Sequence, residues 1–263
     1  MDFALLLWSI TITKNMKTSW KTPFTSSLLF ASIISAGQAA VIGFSEDFTA
    51  TTLNTAWNES GTGGSFDAAN NIYSLSHTNG SPPPRLQRNE GGTIGSFIST
   101  ITVDLAIFSN PSVGADFKWK FFGPDGFTEI VLNSFGDMRM FHNDFAGGAG
   151  NIQPNTNIGL TGAGDLLELT LQYDDVADQL EVTYSLNGGG STPFYSGGGI
   201  DGRVGDLVTN FTQVEVFEFG GGAPIPVVQV QEWNLTPVDS IPEPSSSLLL
   251  AGCLGLFAIR RRR

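Results

Sequence analysis

Apolar and polar residues alternate with period two through the middle of the chain. Ala115, Phe117, Trp119 and Phe121 interleave with Asp116, Lys118 and Lys120. Leu167, Leu169 and Leu171 interleave with Glu168 and Thr170, and Leu180, Val182, Tyr184 and Leu186 with Glu181, Thr183 and Ser185. Successive side chains of a strand point to opposite faces, so each run predicts a strand with one face in a core and the other in solvent. Residues 227–235 predict the closing strand. Turns are marked by Gly123-Pro124-Asp125-Gly126, Asn187-Gly188-Gly189-Gly190 and Gly197-Gly198-Gly199. Residues 166–173 and 179–186 predict a long hairpin around 174–178. No part of the body sustains a 3.6-residue period, so the pattern predicts an all-β antiparallel sandwich or barrel over residues 41–240.

The two ends break this pattern. Met16-Lys17-Thr18-Ser19-Trp20-Lys21 is a basic start, residues 24–34 are mostly apolar, and Ser35-Ala36-Gly37-Gln38-Ala39-Ala40 is a small-residue exit. That order predicts a signal peptide over residues 1–40, cut after Ala39 or Ala40 by signal peptidase, with Met16 as the start. At the other end Pro242-Glu243-Pro244 precedes three serines, an apolar run from Leu248 to Ile259 and four arginines. The run predicts a short helical membrane span, with the arginines held on the cytoplasmic side.

Composition sharpens the picture. Of 13 Lys and Arg, three lie in the leader and four end the chain, so residues 40–241 hold six against 23 Asp and Glu. A body this acidic repels nucleic-acid backbones and anionic membrane surfaces. The one cysteine, Cys253, lies in the apolar tail, so the body forms no internal disulfide.

Residues 241–263 closely resemble the PEP-CTERM sorting tails of Gram-negative bacteria. The resemblance implies that Pro242, Glu243 and Pro244 are read by an exosortase-type peptidase. It also implies that the tail sits transiently in the inner membrane and that the protein accompanies exopolysaccharide at the envelope or outside the cell. Glu46-Asp47-Phe48, followed by Leu53-Asn54-Thr55-Ala56-Trp57, is similar to the opening of concanavalin A-like jelly-roll domains. The predicted hairpin and the Val-Gln-Glu-Trp-Asn strand look like that group as well. The resemblance implies a jelly-roll sandwich, a fold that hosts lectins, glycanases and adhesive modules.

Catalytic chemistry finds little support. Hydrolases of this fold carry acids at alternate positions of one strand. The nearest match here is Glu129-Ile130-Val131-Leu132-Asn133, where only Glu129 is acidic on its face. His77 and His142 are the only histidines, and the nucleophile-elbow motif of serine hydrolases is missing. The sequence therefore predicts a non-catalytic, surface-sorted protein associated with glycan or matrix. A glycan hydrolase and a purely structural envelope protein are the alternatives. Candidate glycan contacts are Trp57, Lys118, Lys120, Glu129, Asn133 and Arg139; the tryptophans also suit a core. Asp174, Asp175 and Asp178 fit a polar turn bonded to its own backbone, and their oxygens are also candidate ligands for calcium as a cofactor, though no EF-hand pattern is present.

Overall fold

The computed structural model describes residues 43–88, 95–108, 114–162, 164–205, 207–220 and 225–238. The predicted signal peptide, the Pro242-Glu243-Pro244 motif and the predicted tail span lie outside them. Among the described residues no helix is long and apolar enough to cross a membrane.

In chain order the strands begin with β1 (Phe44–Glu46), β2 (Trp57–Ser60), β3 (Gly64–Asp67), β4 (Ile72–Ser76) and β5 (Arg85–Arg88). There follow β6 (Phe97–Leu105), β7 (Ala115–Phe122), β8 (Gly126–Asn133), β9 (Asp137–Asp144) and β10 (Ala149–Asn157). The last are β11 (Asp165–Asp174), β12 (Gln179–Leu186), β13 (Thr192–Gly198), β14 (Val208–Glu218) and β15 (Val227–Pro237), with one helical turn, α1 (Asp201–Val204), before β14. One sheet runs β13-β12-β11-β6-β15-β4-β3, with β1 also on β15. The other runs β10-β9-β8-β7-β14-β5-β2. Every described pairing is antiparallel. This is the expected antiparallel sandwich.

Period-two alternation builds the core between the sheets. Strand β7 buries Ala115, Phe117, Trp119 and Phe121, and β11 buries Leu167, Leu169, Leu171 and Tyr173. The layers meet ring to ring, with Phe97 of β6 stacked 5.7 Å from Phe121 of β7. The predicted hairpin forms as β11 and β12, paired from Leu167↔Leu186 to Asp174↔Gln179.

The closing strand departs from strict alternation. Val228 and Val230 face the core, and so do Trp233 and Leu235, one residue out of step. The register slips between Val230 and Glu232, leaving Gln231 as an extra residue. That bulge keeps the apolar set of both halves inside.

Candidate functional site

Two rows of outward-facing residues cross the seven-stranded sheet. Residues directly opposite in register share a face. The first row is Asn58, Gln87, Gln213, Lys120, Glu129 and Phe141, one each from β2, β5, β14, β7, β8 and β9. The second is Ser60, Arg85, Glu215, Lys118, Val131 and Arg139 from the same strands. Four of the six Lys and Arg of residues 40–241 thus stand on one face.

The rows are knitted together by polar bonds. Asn58 Nδ2 donates to Gln87 Oε1 (3.4 Å), Gln87 Nε2 to Gln213 Oε1 (2.6 Å), and Gln213 Nε2 to Glu215 Oε2 (3.0 Å). Arg85 Nε donates to Glu215 Oε2 at 2.7 Å. Lys120 Nζ lies 3.5 Å from Glu215 Oε2 and 3.4 Å from Glu129 Oε2, so one ammonium stands between the two carboxyl groups. Lys118 Nζ is 3.7 Å from Glu215, and Arg139 is 3.8 Å from Asp116. Aromatic rings edge the network: Lys118 lies over Phe217 at 5.1 Å and Lys120 over Phe127 at 5.1 Å.

The carboxyl groups lie deeper than every cation but Lys120, which at 13% exposed is level with Asp116. The Glu215 side chain is 4% exposed and that of Glu129 9%, against 20% for Lys118, 37% for Arg139 and 41% for Arg85. Burial pushes the Glu129 carboxyl up, and Lys120 and Lys118 offset this only in part. Glu215 is pushed up by burial too, but Lys120, the Arg85 hydrogen bond and Lys118 outweigh it and hold its carboxyl below the ordinary range. Asp116 is raised by burial against Lys118 and Arg139.

Lys118, Lys120, Glu129 and Arg139, expected as candidates, meet here. Asn133 shares their face, but its Oδ1 accepts from the backbone N–H of Phe135 (3.0 Å) and Asp137 (2.9 Å), closing the β8–β9 turn. Trp57 does not join them and takes the core position that suits a tryptophan. Its register partner Arg88 places it on the core side, where it is 6% exposed. Its ring lies 5.1 Å from Trp233 and 5.5 Å from Phe44. Glu215 and Gln213 were missed by the sequence reading. The alternation of Val214 and Val216 with Gln213 and Glu215 was available as a signal.

The carboxylates of Asp174 and Asp178 at the β11–β12 turn accept from the backbone. Asp174 Oδ1 accepts from Val176 N and Ala177 N at 3.1 Å each. Asp178 accepts from Gly199 N (2.8 Å) and Ile200 N (3.0 Å), and the Ser96 hydroxyl accepts from Asp175 N at 3.1 Å. Among the described residues no group of three or more His, Cys, Asp or Glu is placed to hold a metal ion. His77 is likewise committed, with Nδ1 accepting from Glu218 N (2.7 Å) and Nε2 facing the Ser81 carbonyl (2.9 Å). A polar cavity of about 400 Å³ opens elsewhere, beside the Gln231 bulge, and Asp47, Asn70, Thr102 and Glu232 help line it.

Residues 240–263 match the model of the PEP-CTERM protein-sorting motif. This is a C-terminal sorting signal of exported proteins, and the cell-surface or extracellular address expected from the tail rests on it. No curated protein sequence matches the chain. Among solved structures, the GH43 protein BlXynB of Bacillus licheniformis is similar at TM-score 0.52 and 13% identity, over 74% of this chain and 39% of that one. The chain thus spans about two fifths of that protein. The Bacillus licheniformis β-glucanase is similar at TM-score 0.52 and 11% identity, over 74% and 97% of the two chains. The acidic lectin of winged bean, solved with methyl-α-D-galactose, is similar at TM-score 0.51 and 12% identity, over 74% and 97%. At these identities the likeness is one of fold, a concanavalin A-like jelly roll.

Proposed function

We propose that this is an exported, surface-sorted glycan-binding protein whose site is the outer face of the seven-stranded sheet. One observation carries the reading: a continuous row of amide and charged side chains from Asn58 to Glu129, edged by Phe127, Phe141 and Phe217. Amides and charges supply hydrogen bonds for sugar hydroxyls, and aromatic rings supply apolar contact for the sugar faces. The PEP-CTERM tail supports an exosortase-type processing partner and a place at the envelope, and exopolysaccharide there is the glycan class proposed as the ligand.

The face acts by binding. A glycan hydrolase needs open space between its two carboxyl groups for the scissile bond. Here the Lys120 ammonium occupies that space between Glu129 and Glu215. The second reading, hydrolysis with Glu129 as acid and Glu215 as its ionised partner, draws on their opposite pKa displacements.

A glycan array probed with the full-length protein tests both readings, with Gln87→Ala as the weakened variant. Binding to a glycan class, reduced in Gln87→Ala with an unchanged thermal midpoint, supports the proposal. No binding to any glycan leaves a purely structural envelope protein. Release of reducing sugar from any bound polysaccharide transfers the site to the hydrolase reading.

A further inference from the structure

We infer that this face selects a linear acidic glycan carrying a carboxylate on alternate sugar rings. The inference rests on the glycan-binding reading of the same face and names its ligand class.

The first argument is charge. The body carries six Lys and Arg against 23 Asp and Glu, yet four of the six converge on one face with three carboxyl groups: Asp116, Glu129 and Glu215. The layering decides what a ligand meets. The carboxyl groups form the floor together with Lys120, 4%, 9% and 13% exposed against 13% for the lysine, while Lys118, Arg139 and Arg85 rise above it at 20%, 37% and 41%. A ligand arriving from solvent meets guanidinium and ammonium groups first.

The second argument is unspent donors. The Lys118–Glu215 and Arg139–Asp116 pairs, at 3.7 Å and 3.8 Å, are longer than hydrogen bonds. Arg139 Nε is a buried donor with no hydrogen-bond partner. Nε is covered, but the side chain is 37% exposed, so the outer end of its guanidinium, a planar fork matched to a carboxylate, is the part a ligand carboxylate would meet.

Spacing is the third. Arg85, Lys118 and Arg139 lie in one register row on β5, β7 and β9, with β14 and β8 between them. Alternate strands are two spacings apart, about 9.6 Å. That is comparable to two pyranose rings of an extended glycan laid across the strands. Glu215 and Val131 fill the intervening strands, so a carboxylate on every ring would meet an acid or an apolar side chain at every second position.

Calorimetric titration of the full-length protein with three octasaccharides tests this: hyaluronan (uronate on alternate rings), oligogalacturonate (uronate on every ring) and laminarin (neutral). Hyaluronan is expected to bind most tightly, with affinity falling as salt rises. Lys118→Gln and Arg139→Gln are each expected to weaken it roughly tenfold, the scale of one lost charge-assisted hydrogen bond. Arg139→Lys, which keeps the charge but loses the fork, should fall between. Thermal midpoints of all variants check that folding is intact. Laminarin binding as tightly as hyaluronan, without salt dependence, overturns the acidic class and leaves glycan binding standing. Oligogalacturonate binding more tightly than hyaluronan overturns the alternate-ring spacing. Failure of all three to bind, alongside a blank glycan array, removes both readings.

Discussion

Trp57 donates its indole N–H to Glu46 Oε2 at 2.8 Å, joining the first strand of one sheet to the first strand of the other. The other oxygen of Glu46 accepts from Phe48 N at 3.1 Å. Phe48 is held there at φ 55, a left-handed conformation that costs a bulky residue ~1–2 kcal/mol. Its ring is fully buried within 6.3 Å of Trp57, Phe66 and Tyr73. The Glu46 carboxylate thus fastens two core aromatics, so the Glu-Asp-Phe and Leu-Asn-x-x-Trp segments read in the sequence form one structural clasp.

Breaking the clasp should affect stability alone. A hydrogen bond to a charged group contributes ~1.5–3 kcal/mol. Trp57→Phe keeps an aromatic ring but loses this bond. We expect a loss of roughly 2 kcal/mol in urea unfolding with glycan affinity unchanged. Weakened glycan binding at full stability would return Trp57 to the binding face.

The β11–β12 turn leads to a second expectation. Asp178 ties its turn to Gly199 and Ile200 beyond β13 with two backbone hydrogen bonds. Asp178→Ala should lower the thermal midpoint. Because Asp174 and Asp178 spend carboxylate oxygens on amides, calcium and EDTA should leave the wild-type midpoint the same. A midpoint raised by calcium and insensitive to magnesium would instead show a calcium site.

Residues 41–240 should fold without either end. The core strands lie inside these bounds and Cys253 lies outside. The fragment should give a β-type circular dichroism spectrum indifferent to reductant. In the exporting cell, intact mass should show a protein starting near Ala40 or Val41 and lacking Arg260 to Arg263. A species retaining both ends would overturn the processing step.

Strand faces were legible because they follow from local alternation. Lys118 and Lys120 sit between Phe117, Trp119 and Phe121, and parity alone put them on one outer face. Glu129, Val131 and Asn133 were assigned to a shared face by the same rule, and the β7–β8 pairing joined the two sets. Glu215 is different. It enters the site because β14 inserts between β7 and β5, so that Glu215 pairs with Lys118 and Arg85, far away along the chain. Period-two patterning fixes which way a side chain points but not which strand lies beside it. The Gln231 bulge was hidden similarly, since it resolves a conflict between two apolar sets that only the pairing with β6 exposes.

The two buried glutamates should respond oppositely to removal of their charge. Glu215 has a lowered carboxyl, so its ionised form stabilises the fold above the unfolded value near 4.5, and that contribution is lost as pH falls through its lower folded value. Glu129 has a raised carboxyl, so the folded protein binds its proton more tightly than the unfolded chain. Its ionisation therefore costs stability as pH rises from the unfolded value through the raised folded one. Glu215→Gln should destabilise at pH 7 by roughly 2 kcal/mol. That is below the ~3–5 kcal/mol for breaking a fully buried pair, because its cations are partly exposed. Glu129→Gln should be neutral or stabilising at pH 7, and this advantage should vanish below the unfolded value. Urea unfolding of both variants between pH 4 and 8 reads the signs directly. The same two proteins, incubated with polysaccharide, bear on chemistry. Loss of a wild-type sugar-releasing activity in both would make Glu129 and Glu215 an acid pair. No release from wild type, with glycan affinity altered in the variants, keeps them as the floor of a binding face.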